Sequence, residues 1–432
     1  AIAIIRISGP LALDVPRYFF CKKVKSNKIN FRRLKDKDGS LIDEVIIISF
    51  LGPLSPTGEN VLEIHCHGSE AVIKDILNVL EGKTGLQLAE PGEFTLRSFN
   101  NGKIDLTMAE GLSDLFYATT TLQRRQATAQ ISGKLSKPIT KWKNEIISLL
   151  SNSEALIDFY EEDLPEDLIN KIIIKREKII KDIKEVLNDG FTGEIIRNGL
   201  IVTIIGPVNS GKSTALNLLA RRPVAIVSNI VGTTRDLLEA TININGVPVQ
   251  IIDTAGFREK AGLIEKEGIK KAVKASKNAD INLIVIDGSK KNWKDKIKGF
   301  SKFKKHNSLI IVNKKDRGIK GEIVDKIDDI KIVYLSLNDK KCRSILENYI
   351  SSFISKINIE RSSTLITRSH HRENLKLCLK HLSISKKIKF EDDLELISEE
   401  FRLATKYLGK ITGHVDVEDL LDEIFSSFCI GK

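Results

Sequence analysis

The residues best equipped for chemistry lie in one short run, "GPVNSGKST" at 206–214. Gly206 and Gly211 let backbone N–H groups turn inward around an anion, Lys212 brings a point charge to a polyphosphate, and Ser213 offers a hydroxyl to magnesium. Three further runs follow in the order that a guanine-nucleotide switch protein requires. "VGTTRD" supplies Thr234 for magnesium and the γ-phosphate, and "VQIIDTAG" ends a strand on Asp253, within reach of the magnesium shell, ahead of a free-moving Gly256. "LIIVNKKD" ends another on Asn313, Lys314 and Asp316. A carboxylate at Asp316 accepts two hydrogen bonds from the guanine edge, whereas adenine would leave it unpaired, so the pattern selects GTP over ATP. "LSLN" at 335–338 stands where a further base-contacting loop belongs, with Ser336 its candidate contact.

Hydrolysis also needs a group that orients water and one that offsets transition-state charge. Phe257 follows "DTAG" and can do neither. Glu265, in "LIEKEGIKKA", is either the water-orienting acid or a solvated charge at a helix start. Arg235 and Arg258 are either charge-offsetting fingers or surface cations, and Asn209 carries an oxygen suited to a cation beside the phosphates.

These residues need strands to carry them and helices to cover them. The phosphate run is preceded by the β-branched "GLIVTIIG" and followed by "TALNLLARR", a strand-to-helix context. Strands and helices alternate from there to about Ile354, which predicts a doubly wound parallel sheet. Residues 1 to about 115 mix β-branched runs with one helical run, "EAVIKDILNVL", predicting an α+β domain. Long helical periodicity fills 106–189, interrupted mainly around Pro138 and Pro165, and returns from about Thr364. The economical arrangement is an α+β domain at 1–105, a helical domain built from 106–195 and 360–432, and an α/β domain inserted at 196–359. The opening "AIAIIRISG" reads as a buried strand, so the natural start is expected upstream of Ala1.

The chain of 432 residues is 41% hydrophobic and 29% charged with only 10 prolines, which predicts ordered globular domains, and no run is long enough to span a membrane. A formal charge of +11 fits either a polyanionic partner or a lysine-rich composition bias. Five cysteines without a close pair argue against a disulfide framework and for a reducing, cytoplasmic setting. "HCH" at 65–67 puts two histidines on one strand face and Cys66 on the other, which argues against zinc. Cys429, fourth from the end in "FSSFCIGK", does not fit a prenylation box, because Gly431 is not aliphatic and Lys432 is not an accepted last residue. Val417, Leu420, Leu421, Ile424 and Phe428 recur at helical spacing just before it, so that helix buries one face. Cys429 itself is open to two readings, chemistry or packing.

Taken together, "IIRISG", "TGENVLEIHCHG", "AEPGEFTLRSFNNGKIDLTMAEG", "AIVSNIVGTTRD", "IIDTAGFRE" and "FSSFCIGK" resemble the tRNA-modification GTPase family MnmE, also called TrmE, essentially end to end. The resemblance implies a GTPase that acts as a homodimer and forms a heterotetramer with an MnmG-type FAD-dependent partner. It implies addition of an aminomethyl or carboxymethylaminomethyl group to C5 of the wobble uridine of tRNA, with no role for DNA or membrane. The one-carbon unit would come from 5-formyl- or 5,10-methylene-tetrahydrofolate, contacted by Arg6, Glu63, Lys103 and Lys432. Ser213 and Thr234 would take magnesium, Asn209, Ser228, Ile230 and Thr233 potassium, and Glu265 the attacking water. Nucleotide contacts would extend through Ser210, Gly211, Lys212 and Thr214, then Asn229, Val231 and Gly232, and Thr254 with Ala255. The sequence departs from the family pattern at Val208, where a proline is usual, and at Ser69, where a glycine is usual. The competing readings are a GTP-regulated RNA or ribosome-assembly protein without base chemistry, and a folate-dependent transferase acting alone. The first leaves "GEFTLRSFNNGKIDL" and "FCIGK" without a task, and the second leaves the nucleotide motifs without one.

Overall fold

The computed structural model describes residues 1–22, 24–26, 28–81, 83, 85–158, 166–189, 191–220, 238–253, 276, 279–298, 307–320, 323–327, 329–356, 365–390, 393–415, 424 and 428. They fall into two compact units, one of residues 1–117, 127–181 and 373–432, the other of 118–126 and 182–372.

The first unit begins with β1 (Ile2–Ser8), β2 (Asn30–Lys35), β3 (Leu41–Phe50) and β4 (Val61–His67), an antiparallel sheet in the order β1-β4-β3-β2. Leu62, Ile64 and Cys66 of β4 pack in a core with Val45, Ile47, Leu34 and Ile76, the last from helix α1 (Glu70–Leu80). Strand β1 is only half-buried, less than its isoleucine run suggests: Ala3, Ile5 and Ile7 pack against that core. Among the described residues it pairs with β4 alone, at the sheet edge, and the strand's two-residue period turns Ile2 and Ile4 to the open face, where they are 76% and 53% exposed.

Helices α2 (Glu93–Asn100), α3 (Leu106–Tyr117), α4 (Thr121–Ile131) and α5 (Ser136–Asp158) follow. Pro138 interrupts nothing: it sits in the first turn of α5, where a missing N–H has no acceptor to deprive. The break comes earlier, at Gly133, whose φ of +80° ends the preceding helical turn. Pro165 lies outside the described residues. Helix α6 (Glu166–Leu187) comes next, and segments far apart in sequence then share contacts in this unit. Arg176 donates to the Ser385 carbonyl at 2.8 Å, and Ser398 to Ser153 Oγ at 2.9 Å. Near the end of the chain, Ile424 and Phe428 are buried against Leu106 and Ala109, with the Phe116 and Phe428 rings edge to face at 5.9 Å.

The second unit contains α7 (Thr192–Asn198), β5 (Leu200–Ile205), α8 (Lys212–Ala220), β6 (Leu238–Ile244), β7 (Val247–Asp253), β8 (Ile281–Asp287), α9 (Trp293–Lys298), β9 (Ser308–Asn313), β10 (Lys326–Ile327), β11 (Ile330–Tyr334) and α10 (Cys342–Lys356). The sheet order is β10-β11-β9-β8-β5-β7-β6. It is parallel from β11 to β7 and carries one antiparallel strand at each edge, β10 and β6. Both faces are covered, one by a core that includes α8 and α10, the other by one that includes Trp293 of α9. That is why every residue of β8 and β9 is buried and both read as continuous apolar runs. Helices α11 (Ser369–Ser385) and α12 (Leu394–Thr412) complete the described elements. An α+β domain, helical segments and an α/β domain inserted between them thus make up the chain. Among the described residues, no helix is long and apolar enough to cross a membrane.

Beside the α/β sheet, Arg372 is almost wholly buried and donates to Asp189 at 2.7 Å, to Glu194 at 3.0–3.2 Å and to the Leu187 carbonyl at 3.0 Å. Its guanidinium carbon lies 4.0 Å from the centre of the Phe191 ring. Removing one partner of a buried ionic cluster costs about 3–5 kcal/mol, because the remaining charges keep their desolvation penalty. Arg372→Ala is expected to lose that much unfolding free energy, measured by denaturant through Trp293 in a Trp142→Phe background. A loss of under about 1 kcal/mol would mean that the cluster behaves as an exposed one.

Candidate functional site

Strand β5 lies between β7 and β8, so the strand order reverses around it, and the crevice at such a switch point is where parallel sheets hold ligands. The loop leaving β5 turns at Gly206, φ +153°, and reaches α8 through Gly211, φ +107°. A Cβ at Gly206 would stand 2.1 Å from the Val285 carbonyl oxygen, and one at Gly211 would stand 2.2 Å from Asn313 Nδ2. Both glycines are therefore demanded by the neighbouring strands as well as by the turn. Asn209 is also left-handed, φ +58°, a conformation that asparagine tolerates better than most side chains.

The loop borders a cavity of about 450 Å³, lined on one side by Asn209, Gly211, Lys212, Ser213 and Thr214 and on the other by Asn313, Lys314 and Asp316. Lys212 Nζ donates to the carbonyls of Gly206 and Pro207 at 3.0 and 2.8 Å, which folds the ammonium over the loop. Ser213 Oγ donates to the buried Asp253 at 3.0 Å. That pairing of hydroxyl and carboxylate oxygens beside a phosphate-type loop fits the hard oxygen ligands magnesium requires. Ser210 Oγ is buried, with no hydrogen-bond partner among the described residues.

At the other end, Ser336 Oγ donates to Asp316 Oδ1 at 2.6 Å. That hydrogen bond holds the Asp316 carboxyl below the usual carboxylate range, keeping it an ionised acceptor. Ser336 thus orients the acid. Lys314 Nζ bridges the Asn209 carbonyl at 2.9 Å and Asp287 at 2.7 Å. Burial pushes the Asp287 carboxyl up, but hydrogen bonds from Lys314 and Ser289 outweigh it and leave the group below its ordinary value. Arg317 and Asn338 also line the cavity. Sequence reasoning missed both, along with Asp287, although Asp287 closes "INLIVID" at a strand end just as Asp253 and Asn313 do. Val208, the departure in the loop, is 48% exposed at the rim of the cavity. Ser228, Asn229, Ile230, Val231, Gly232, Thr233, Thr234, Thr254, Ala255, Gly256, Glu265, Cys429 and Lys432 lie outside the described residues.

In the first unit, Arg6 and Glu63 are direct cross-strand partners, joined at 2.7 and 2.9 Å, with Glu63 largely buried. His65 Nε2 lies 3.2 Å from the other Glu63 oxygen, and Phe94 lies against the Arg6 guanidinium at 5.7 Å. A cavity of about 810 Å³ runs along β1 and includes Ile5, Arg6, Ile73, Leu77, Phe94 and Arg97. Its size and its mix of apolar walls with a few charges suit a folate-sized ligand. Lys103 is placed elsewhere, its Nζ donating to the Pro53 carbonyl at 2.8 Å, and neither it nor Glu63 lines this cavity. His67 meets Asp43 at 2.8 Å while Cys66 is buried, so the "HCH" run does not converge on a metal.

Comparison with known proteins covers both units. The family model described as "GTP-binding protein TrmE N-terminus" matches residues 1–103, and that described as "MnmE helical domain" matches 106–429. Proteins named tRNA modification GTPase MnmE match along the whole chain. The one from Rickettsia rickettsii (strain Sheila Smith) is 40% identical over 435 residues, covering 100% of this chain and 97% of that protein. Those of Rickettsia akari (strain Hartford) and Rickettsia prowazekii (strain Madrid E) are 38% identical over 437 and 445 residues, with the same coverage. Full-length identity at this level, added to both model matches and to a phosphate loop facing an Asn-Lys-x-Asp strand end, means that the chain belongs to the MnmE family of tRNA modification GTPases.

Proposed function

We propose that the chain hydrolyses GTP and couples hydrolysis to modification of the wobble uridine of tRNA. The observation that carries the nucleotide choice is Asp316, an ionised carboxylate set by Ser336 across one cavity from the phosphate loop. There Asp316 accepts the two donors of the guanine edge, Lys212 faces the β- and γ-phosphates, and Ser213 with Thr234 and Asp253 holds magnesium. Magnesium held there would shield the phosphate oxygens as their charge shifts. Glu265 orients the water. Asn209, Ser228, Ile230 and Thr233 hold potassium, which in this reading takes the place of an arginine finger.

The one-carbon chemistry belongs to residues 1–105 in this reading, with the helical domain at 106–195 and 360–432 and the GTP-binding domain at 196–359. Arg6, Lys103 and Lys432 pair with the carboxylates of 5-formyl- or 5,10-methylene-tetrahydrofolate and Glu63 with pterin donors. When bound, the folate supplies the one-carbon unit. In this reading Cys429 is the candidate nucleophile. The chain works as a homodimer, and an MnmG-type FAD-dependent partner completes the addition of an aminomethyl or carboxymethylaminomethyl group at C5. The support is the full-length family match together with the Arg6–Glu63 pair beside the cavity on β1.

Asp316→Asn presents an N–H to the base where a carboxylate stood. GTP affinity is expected to fall about a hundredfold or more, with a gain for xanthosine triphosphate, whose C2 carbonyl accepts that donor. Fluorescent-nucleotide titration reads both, and an unchanged preference for guanine removes Asp316 from base recognition. A reduced folate titrated spectroscopically should bind the wild type, and Arg6→Ala should weaken it about tenfold, as loss of one charge-assisted contact predicts. For the function as a whole, tRNA from cells lacking the protein should show unmodified wobble uridine by mass; an unaltered mass there overturns the proposal.

A further inference from the structure

Beside the nucleotide cavity lies an ion pair, Asp287 with Lys314, to which neither the phosphate motif nor the base motif assigns a role. Asp287 is the last residue of β8, directly across from Asn313 in the parallel register of β8 and β9. It is 7% exposed, and both of its oxygens are committed. Oδ1 accepts from the Ser289 amide and hydroxyl at 3.1 and 2.6 Å, and Oδ2 accepts from Lys314 Nζ at 2.7 Å.

The turn that carries Asp287 has little room to move. Gly288 N–H donates to the Asn313 carbonyl at 2.9 Å and its own carbonyl accepts from Lys320 at 3.0 Å, while a Cβ at that position would stand 2.5 Å from Val312. Trp293 Nε1 clips the Lys320 carbonyl at 2.7 Å. The carboxylate is thus a fixed anchor and Lys314 the part that must be placed. That ammonium also donates to the carbonyl of Asn209 in the phosphate loop at 2.9 Å. Asn209 and Lys314 are both left-handed, φ +58° and +65°, and one ammonium links the two strained turns.

We infer that Asp287 is a positioning residue for the nucleotide: it fixes Lys314 against the phosphate loop, so that the base side and the phosphate side of the cavity are already in register before the nucleotide binds. Asp287 itself does not line the cavity. Its effect passes through Lys314, and preorganisation of this kind is read mainly in the dissociation rate.

The inference rests on the guanine-nucleotide reading, and the test separates the two. Guanosine diphosphate with a fluorescent ribose label, in magnesium buffer, is followed by stopped flow with the full chain, Asp287→Asn, Ser289→Ala, Lys314→Met and the Asp287→Asn/Lys314→Met double variant. Asp287→Asn is expected to raise the dissociation constant about tenfold, the size of one lost charge-assisted hydrogen bond, chiefly through faster release. Ser289→Ala, which leaves the carboxylate in place but loosens it, should weaken binding about threefold by the same path. The double variant should be no weaker than Lys314→Met alone, because nothing then remains for Asp287 to hold. Tight wild-type binding with both Asp287→Asn and Ser289→Ala within twofold of it overturns the inference alone. So does an undiminished Asp287→Asn effect in the Lys314→Met background, which would mark a generally structural role. A wild type that binds no guanosine diphosphate overturns the nucleotide reading and the inference with it.

Discussion

The side-chain amide of Asn313 makes three hydrogen bonds on which the nucleotide cavity depends. Its Nδ2 donates to the Ser210 carbonyl of the phosphate loop at 2.8 Å, and its Oδ1 accepts from the amides of Lys314 and Leu337 at 2.7 and 3.0 Å. Its backbone carbonyl accepts from Gly288. The phosphate loop, the base turn, the 335–338 loop and the end of β8 are all referred to this one residue. Ser210 and Leu337 are buried, so each group would cost about 1–3 kcal/mol if left without a partner. Gly211 has to be glycine for the same reason, since a Cβ there would collide with Asn313 Nδ2.

Asn313 can do this because of where the sheet ends. Strands β5, β8 and β9 run parallel and side by side, so Ile205, Asp287 and Asn313 finish at one edge, where the backbone groups of the following turns need partners. The apolar length of β8 and β9 holds these ends in place, and the polar residues appear only where burial on both faces stops. The Asp287–Lys314 pair and the Ser336–Asp316 contact then fix the two functional side chains of the base turn.

Legibility in the sequence followed the distance over which each feature is built. The phosphate loop and the Asn-Lys-x-Asp turn are set by neighbours a few residues apart, so spacing alone located them and the strands that carry them. The antiparallel edge strands β6 and β10 were not legible, because an edge strand and a central one share the same β-branched composition and differ only in partner. Strand β1, an isoleucine-rich edge strand that is half-buried, shows the same ambiguity. Asp287, Arg317 and Asn338 come from different turns, and Arg372 meets Asp189 and Glu194 from 183 and 178 positions away in the chain. Only folding places such residues together.

The N-terminal pair sets a further condition on any acidic ligand. Arg6 gives both Nε and Nη2 to a single oxygen of Glu63, and the second Glu63 oxygen faces His65. The guanidinium is therefore largely neutralised before a ligand arrives, yet among the described residues its Nη1 has no hydrogen bond to protein. A ligand carboxylate can take those N–H groups without displacing Glu63, but it brings a second negative charge to one cation. Its affinity then depends on further positive charge close by. Arg97 cannot supply that freely, because Glu59 and Glu93 hold it at 2.9 and 2.6 Å. Among the described residues the Lys103 ammonium is tied to one neutral carbonyl, so it can turn toward an anion at the cost of one exposed hydrogen bond. In the proposed folate site, a lysine donor brought to Arg6 would restore that charge balance.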